Sequence, residues 1–130
     1  MPVLLDTSVA IALLDGAQAI VERKRDQTDT AFLSAVSRVE LVPGLFASGA
    51  RDQTRAERLT AFLEEVEELP FASTEVEAYE AIIAARGFSR RLVVDRMIAA
   101  TALANDLSLA TLNPRDFRDI PGLTIEDWSA

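Results

Sequence analysis

Short apolar runs alternate along this chain with longer stretches whose apolar residues recur at helical spacing. That alternation builds β–α–β units. It predicts an α/β protein, a short, mostly parallel sheet flanked by helices in three layers. The first run, residues 2–5, ends at Asp6-Thr7-Ser8 and passes into a helical stretch through Val9, Ile11 and Leu14. Residues 31–33 read as a second strand, with Ser34 as N-cap of a helix carrying Val36, Val39, Glu40 and Leu41 that Pro43-Gly44 should kink or break. Residues 55–66 have amphipathic spacing and lead to a strand around residues 69–71. Ser73 or Thr74 can cap the next helix, which Gly87 stops. Residues 92–94 form another apolar run ending at Asp95, before a helical stretch through Ile98 and Thr101. Residues 107–111 and 123–125 complete the strands, the last at an edge.

With 130 residues, 49% of them hydrophobic, the chain suffices for one core, so residues 1–130 are expected to be a single domain. No apolar run approaches the roughly 18 residues of a membrane span, and a cytoplasmic location is expected. Cysteine and histidine are both missing, which removes thiolate sites, most zinc chemistry and histidine bases. The only lysine, Lys24, lies in a charged cluster that reads as a solvated helix face, and Glu64-Glu65-Val66-Glu67-Glu68 as a solvated helix end.

Carboxylates therefore carry any hydrolytic chemistry. Ligands of open α/β sheets gather beyond the carboxyl ends of the strands. Asp6 ends the first strand, Asp95 ends the 92–94 run, and Asn113 and Asp116 follow the 107–111 run, while a helix after the second strand supplies Glu40. Acids converging on one point repel unless a cation compensates them, and hard oxygen ligands select Mg²⁺ or Mn²⁺. Such ions serve in-line phosphoryl displacement. Taken singly, Asp6 and Asp95 also read as helix N-caps, and Asp116 as a turn residue. Glu40, with Val39 and Leu41 beside it, wants a partner.

The net charge of −8 opposes a phosphate-bearing partner, but it is unevenly spread. Residues 86–118 hold Arg86, Arg90, Arg91, Arg96, Arg115 and Arg118 against fewer acids, and these arginines are expected to rim the acidic pocket. Arg90, Arg91, Arg96 and Arg115 are the expected contacts for a phosphate-bearing partner.

Four segments, Val3-Leu4-Leu5-Asp6-Thr7-Ser8-Val9, Ser37-Arg38-Val39-Glu40-Leu41, Val94-Asp95-Arg96-Met97-Ile98-Ala99-Ala100-Thr101-Ala102 and Ala110-Thr111-Leu112-Asn113-Pro114-Arg115-Asp116-Phe117, occur in an order that resembles the PIN-domain family, and within it the VapC toxins. The resemblance implies a Mg²⁺- or Mn²⁺-dependent endoribonuclease, the toxin of a type II toxin–antitoxin pair. It implies Asp6, Glu40 and Asp95 as metal-site acids, steadied by the hydroxyls of Thr7, Ser8 and Thr111. It further implies a homodimer and a VapB-type antitoxin whose tail enters the active groove. Where many PIN domains carry a fourth acid this chain has Asn113, with Asp116 three residues later. A catalytically silent PIN-like binding module and a housekeeping RNA-maturation nuclease remain open alternatives. A phosphatase of the haloacid-dehalogenase type would need a second aspartate where Ser8 stands.

Overall fold

In a computed structural model describing residues 2–129, five strands form one sheet in which all four pairings are parallel. Met1 and Ala130, the ends of the expected domain, lie outside the described residues. The strands are β1 (Val3–Leu5), β2 (Ala31–Ser34), β3 (Glu67–Leu69), β4 (Ser108–Thr111) and β5 (Ile125–Asp127), in the spatial order β3-β2-β1-β4-β5. The helices are α1 (Thr7–Leu14), α2 (Gln18–Asp26), α3 (Ala35–Leu41), α4 (Gln53–Glu65), α5 (Ser73–Arg86) and α6 (Val93–Ala104).

Alternation along β1 divides the core in two. Val3 and Leu5 join Val9, Ile20, Leu59 and Phe62 on the face covered by α1, α2 and α4. Leu4 joins Ile82, Ile98 and Leu109 on the face covered by α5 and α6. Helices on both faces of a parallel sheet give the three layers expected from the chain's alternation. The winding starts at β1, runs outward through β2 to β3, then crosses to β4 on the other side of β1. The carboxyl ends of β1 and β4 therefore flank the switch point, where such sheets open a crevice.

Several boundaries differ from the sequence expectation. Residues 92–94 are not a strand: Arg90–Leu92 is a 3₁₀ turn and Val93 begins α6. Val94, Ile98 and Thr101 recur at helical spacing, so the periodicity of α6 reaches back through the apolar run. The third strand is Glu67–Leu69 rather than 69–71, because Pro70 has no N–H to continue the ladder. Glu67 and Glu68 of the acidic run at 64–68 thus lie on an edge strand, where charge discourages further pairing. The last strand begins at Ile125, since Leu123 is held in a turn by its N–H to the Ile120 carbonyl.

The caps follow a similar pattern. Ser34 Oγ accepts from the Val36 N–H, as expected. The N-cap of α5, however, is Ala72, whose N–H is bound by buried Glu75, so neither Ser73 nor Thr74 caps that helix. Gly87 ends α5 at φ +79°, a conformation few other residues adopt. The chain leaves helical geometry after Leu41 for a 3₁₀ turn at Val42–Phe46, where Pro43 and Gly44 sit. Lys24 is not simply solvated: its side chain is mostly covered and stands 3.8 Å from Glu65.

Candidate active site at the carboxyl edge of the sheet

Asp6 leaves β1 and caps α1, its Oδ1 accepting from the Thr7 N–H at 2.9 Å. Its Oδ2 accepts from Ser8 Oγ at 2.7 Å and from Thr111 Oγ1, at the end of β4, at 2.8 Å. The capping reading of Asp6 and its place at the switch point hold together. Ser8 Oγ in turn accepts from the Leu112 N–H, and Thr111 Oγ1 from the Asn113 N–H. Two hydroxyls thus tie the ends of β1 and β4 together around one buried carboxylate.

Glu40 comes from the last turn of α3 and accepts from Thr7 Oγ1 at 2.6 Å. Thr7 has one hydroxyl proton, so buried Ser37, 2.9 Å away, donates to Thr7 in turn. Ser37 was missed in the sequence, although it lies one helical turn before Glu40. Of the two apolar neighbours expected beside Glu40, Leu41 is buried but Val39 is 69% exposed, and Glu40 itself is exposed.

Asp95 is the third residue of α6, not its N-cap, which is Leu92. Burial, together with the negative charges of Asp6, Asp116 and Glu40, pushes its pKa up to about 6, against the pull of Arg91. No hydrogen-bond donor among the described residues reaches its carboxylate. Asp116, on the 3₁₀ turn Pro114–Asp116, contributes to this field. Asn113 contributes its N–H to Thr111.

The four acids therefore share one electrostatic environment. Among the described residues, no three acids stand in a geometry that closes on one ion. The donor chemistry nonetheless suits a hard divalent cation: oxygen ligands only, excess negative charge, and one carboxylate whose ionised form is disfavoured by burial and by three neighbouring acids.

The arginines divide. Arg90 and Arg91 are exposed on the turn entering α6, Arg91 close enough to act on Asp95, and exposed Arg115 adjoins Asp116. Arg96 cannot line a solvent rim, because it is 4% exposed. One residue on from Asp95, the helix turns its side chain about 100° inward. Arg86 donates to the Asp119 carbonyl, and exposed Arg118 acts on Asp127 at the end of β5. A cavity of about 270 Å³ adjoins Glu40, with Leu14 and Leu45 in its walls beside Arg55 and Arg58. Those two arginines fall outside the stretch that the sequence marked as basic.

A doubly wound parallel sheet with acids gathered at its switch point defines an α/β protein with a carboxylate-centred ligand site. More particularly, the chain belongs to the PIN-domain family, which it matches over residues 3–123. It is 32% identical to Ribonuclease VapC1 of Rickettsia felis, over 96% of this chain and 95% of that protein. It is 30% identical to Ribonuclease VapC of Rickettsia bellii over the same shares. The structure of DNA-bound VapBC from Salmonella typhimurium superposes with a TM-score of 0.84 at 28% identity, covering 98% of both chains. No described helix is long and apolar enough to cross a membrane.

Proposed function

We propose that this chain is a Mg²⁺- or Mn²⁺-dependent endoribonuclease, acting in the cytoplasm as the toxin of a VapBC-type pair and built as a single PIN domain. The observation that carries this reading is the half-buried carboxylate of Asp95, which receives no hydrogen bond from the described residues and whose pKa is raised by burial and then by the charges of Asp6, Asp116 and Glu40. Relatives named as VapC ribonucleases support the substrate class, and the VapBC complexes among similar structures support an antitoxin partner.

In this reading Asp6, Glu40 and Asp95 would hold the cation. When bound, it supplies compensating charge and Lewis acidity toward the scissile phosphate. The rest falls to the chain's own residues. Thr7 aims Glu40, while Ser8 and Thr111 fix Asp6 so that its orientation does not depend on the ion. Asp116, whose charge acts on Asp95, would orient water with Asn113 in the place of a fourth acid. Arg90, Arg91 and Arg115 would hold flanking phosphates with their planar guanidinium forks. The cavity beside Glu40 would take the tail of a VapB-type antitoxin, its apolar wall and arginines suiting an aliphatic and acidic segment. Exposed Val39, Val76 and Phe88 are available for cover by a second copy in a homodimer.

The test is cleavage of a mixed RNA substrate with and without Mn²⁺. Activity that needs the ion and disappears in Asp95→Asn is expected. Ion-independent cleavage, or an active Asp95→Asn, would overturn the reading. A silent binding module is favoured by one observation, the acids' failure to close on an ion as placed. A calorimetric Mn²⁺ titration showing no binding would favour it sharply.

A further inference from the structure

Arg96 follows Asp95 directly in α6, and no other lysine or arginine among the described residues is as enclosed. Its Nη1 donates to the Gly87 carbonyl at 2.6 Å, and its Nη2 lies 3.7 Å from Asp119 Oδ2. Its Nε is buried without a partner. Arg86 Nε donates to the Asp119 carbonyl at 2.6 Å. Asp119 is thus held twice, by its carboxylate and by its backbone.

The two segments joined here deliver acids to the site. Gly87 ends α5, and the turn after it leads into the start of α6 and Asp95. Asp119 lies three residues beyond Asp116, in a turn anchored by buried Phe117 and Ile120. A buried guanidinium with an unpaired N–H is an expensive way to fill space, and an apolar side chain of similar size would do so at lower cost. What an apolar side chain lacks is the directional reach to two segments at once, which a planar fork supplies.

We propose that Arg96 is a positioning residue: through Gly87 and Asp119 it fixes the turn carrying Asp116 against the helix start carrying Asp95, and so sets the spacing of two acids at the cation site. This rests on the metal-dependent reading above. Arg96 itself touches neither RNA nor the ion.

The experiment is a calorimetric Mn²⁺ titration of the full chain, paired with thermal unfolding of the metal-free protein. The variants are Asp119→Asn, Arg96→Lys and, as a control, Glu68→Gln, which breaks the Arg38–Glu68 pair at the sheet edge. Asp119 is about half exposed, so its substitution should leave the fold intact. Asp119→Asn is expected to weaken Mn²⁺ binding about tenfold and to lower kcat with little change in KM for RNA. Its unfolding midpoint should stay near that of Glu68→Gln, whose Mn²⁺ affinity should match the unsubstituted protein. Arg96→Lys, where it folds, should lose at least as much affinity as Asp119→Asn. Unchanged Mn²⁺ affinity in Asp119→Asn overturns the positioning role while leaving the metal reading in place. No Mn²⁺ binding by the unsubstituted protein overturns both.

Discussion

Asp6 and Asp95 lie close enough for one charge to raise the pKa of the other, yet the protein treats their carboxylates in opposite ways. Asp6 accepts from the Thr7 N–H and from the hydroxyls of Ser8 and Thr111, and is nearly closed to solvent. Asp95 is half-buried and receives no hydrogen bond from the described residues. One acid is fixed by the strands it joins, while the other is left with lone pairs free for something the protein does not itself provide. An acid serving only to cap or to bridge would be bonded as Asp6 is. The contrast therefore separates a carboxylate that holds the site together from one kept available at it.

The severest challenge to that contrast is Asp95→Asn. RNA cleavage should fall by at least about a hundredfold, the scale on which acid–base and electrostatic groups act. The metal-free protein should remain as stable as before or become more so, since a charge crowded by three others is removed. Cleavage that persisted would make Asp95 structural.

Thr111→Val probes the other side. It strips a donor from the buried carboxylate of Asp6 and takes the acceptor from the partly buried Asn113 N–H, at a cost of about 1–3 kcal/mol. Urea unfolding measures this. A loss below about 0.5 kcal/mol, under the range for such groups, would mean the hydroxyl does not hold Asp6.

Arg90→Ala combined with Arg91→Ala should weaken single-stranded RNA binding about tenfold and flatten its salt dependence by about one to two counterions. Mn²⁺ affinity should barely change. An unchanged salt slope would place the RNA elsewhere, with Arg55 and Arg58 the next cations to examine.

The smallest effect is in pH. A carboxyl raised from 3.8 to about 6 on folding favours the folded state while protonated, so its contribution is complete below pH 3.8 and is lost as pH rises through about 6. Metal-free protein should therefore lose a few degrees of thermal midpoint, relative to Asp95→Asn, between about pH 4 and pH 7. Added Mn²⁺ should abolish that difference. A difference growing in the opposite direction would mean that Asp95 gains a donor in solution.

Much of this was legible in advance. The alternation of apolar runs with helical spacings specified the layers, and Asp6, Glu40 and Asp116 stood out because each follows a strand or lies near the element after one, whereas Asp95 stood out for closing an apolar run that is in fact the start of α6. Ser37 escaped notice because its role depends on Thr7, 30 residues away, which no local pattern reveals. Arg96 was misread for a related reason. Charge counted along the chain says nothing of direction, and one step along α6 separates an acid turned toward the site from a cation turned into the protein.

The residues that can do chemistry, the exclusion of thiol and imidazole, and the order of the elements belong to the sequence alone, because they follow from composition and from periods of a few residues. Whether an acid is bonded or left open, and whether an arginine faces solvent or clamps a turn, was decided only in three dimensions. Those outcomes depend on burial and on partners such as Thr111 for Asp6, 105 residues apart, which meet only when β4 crosses the sheet to lie beside β1.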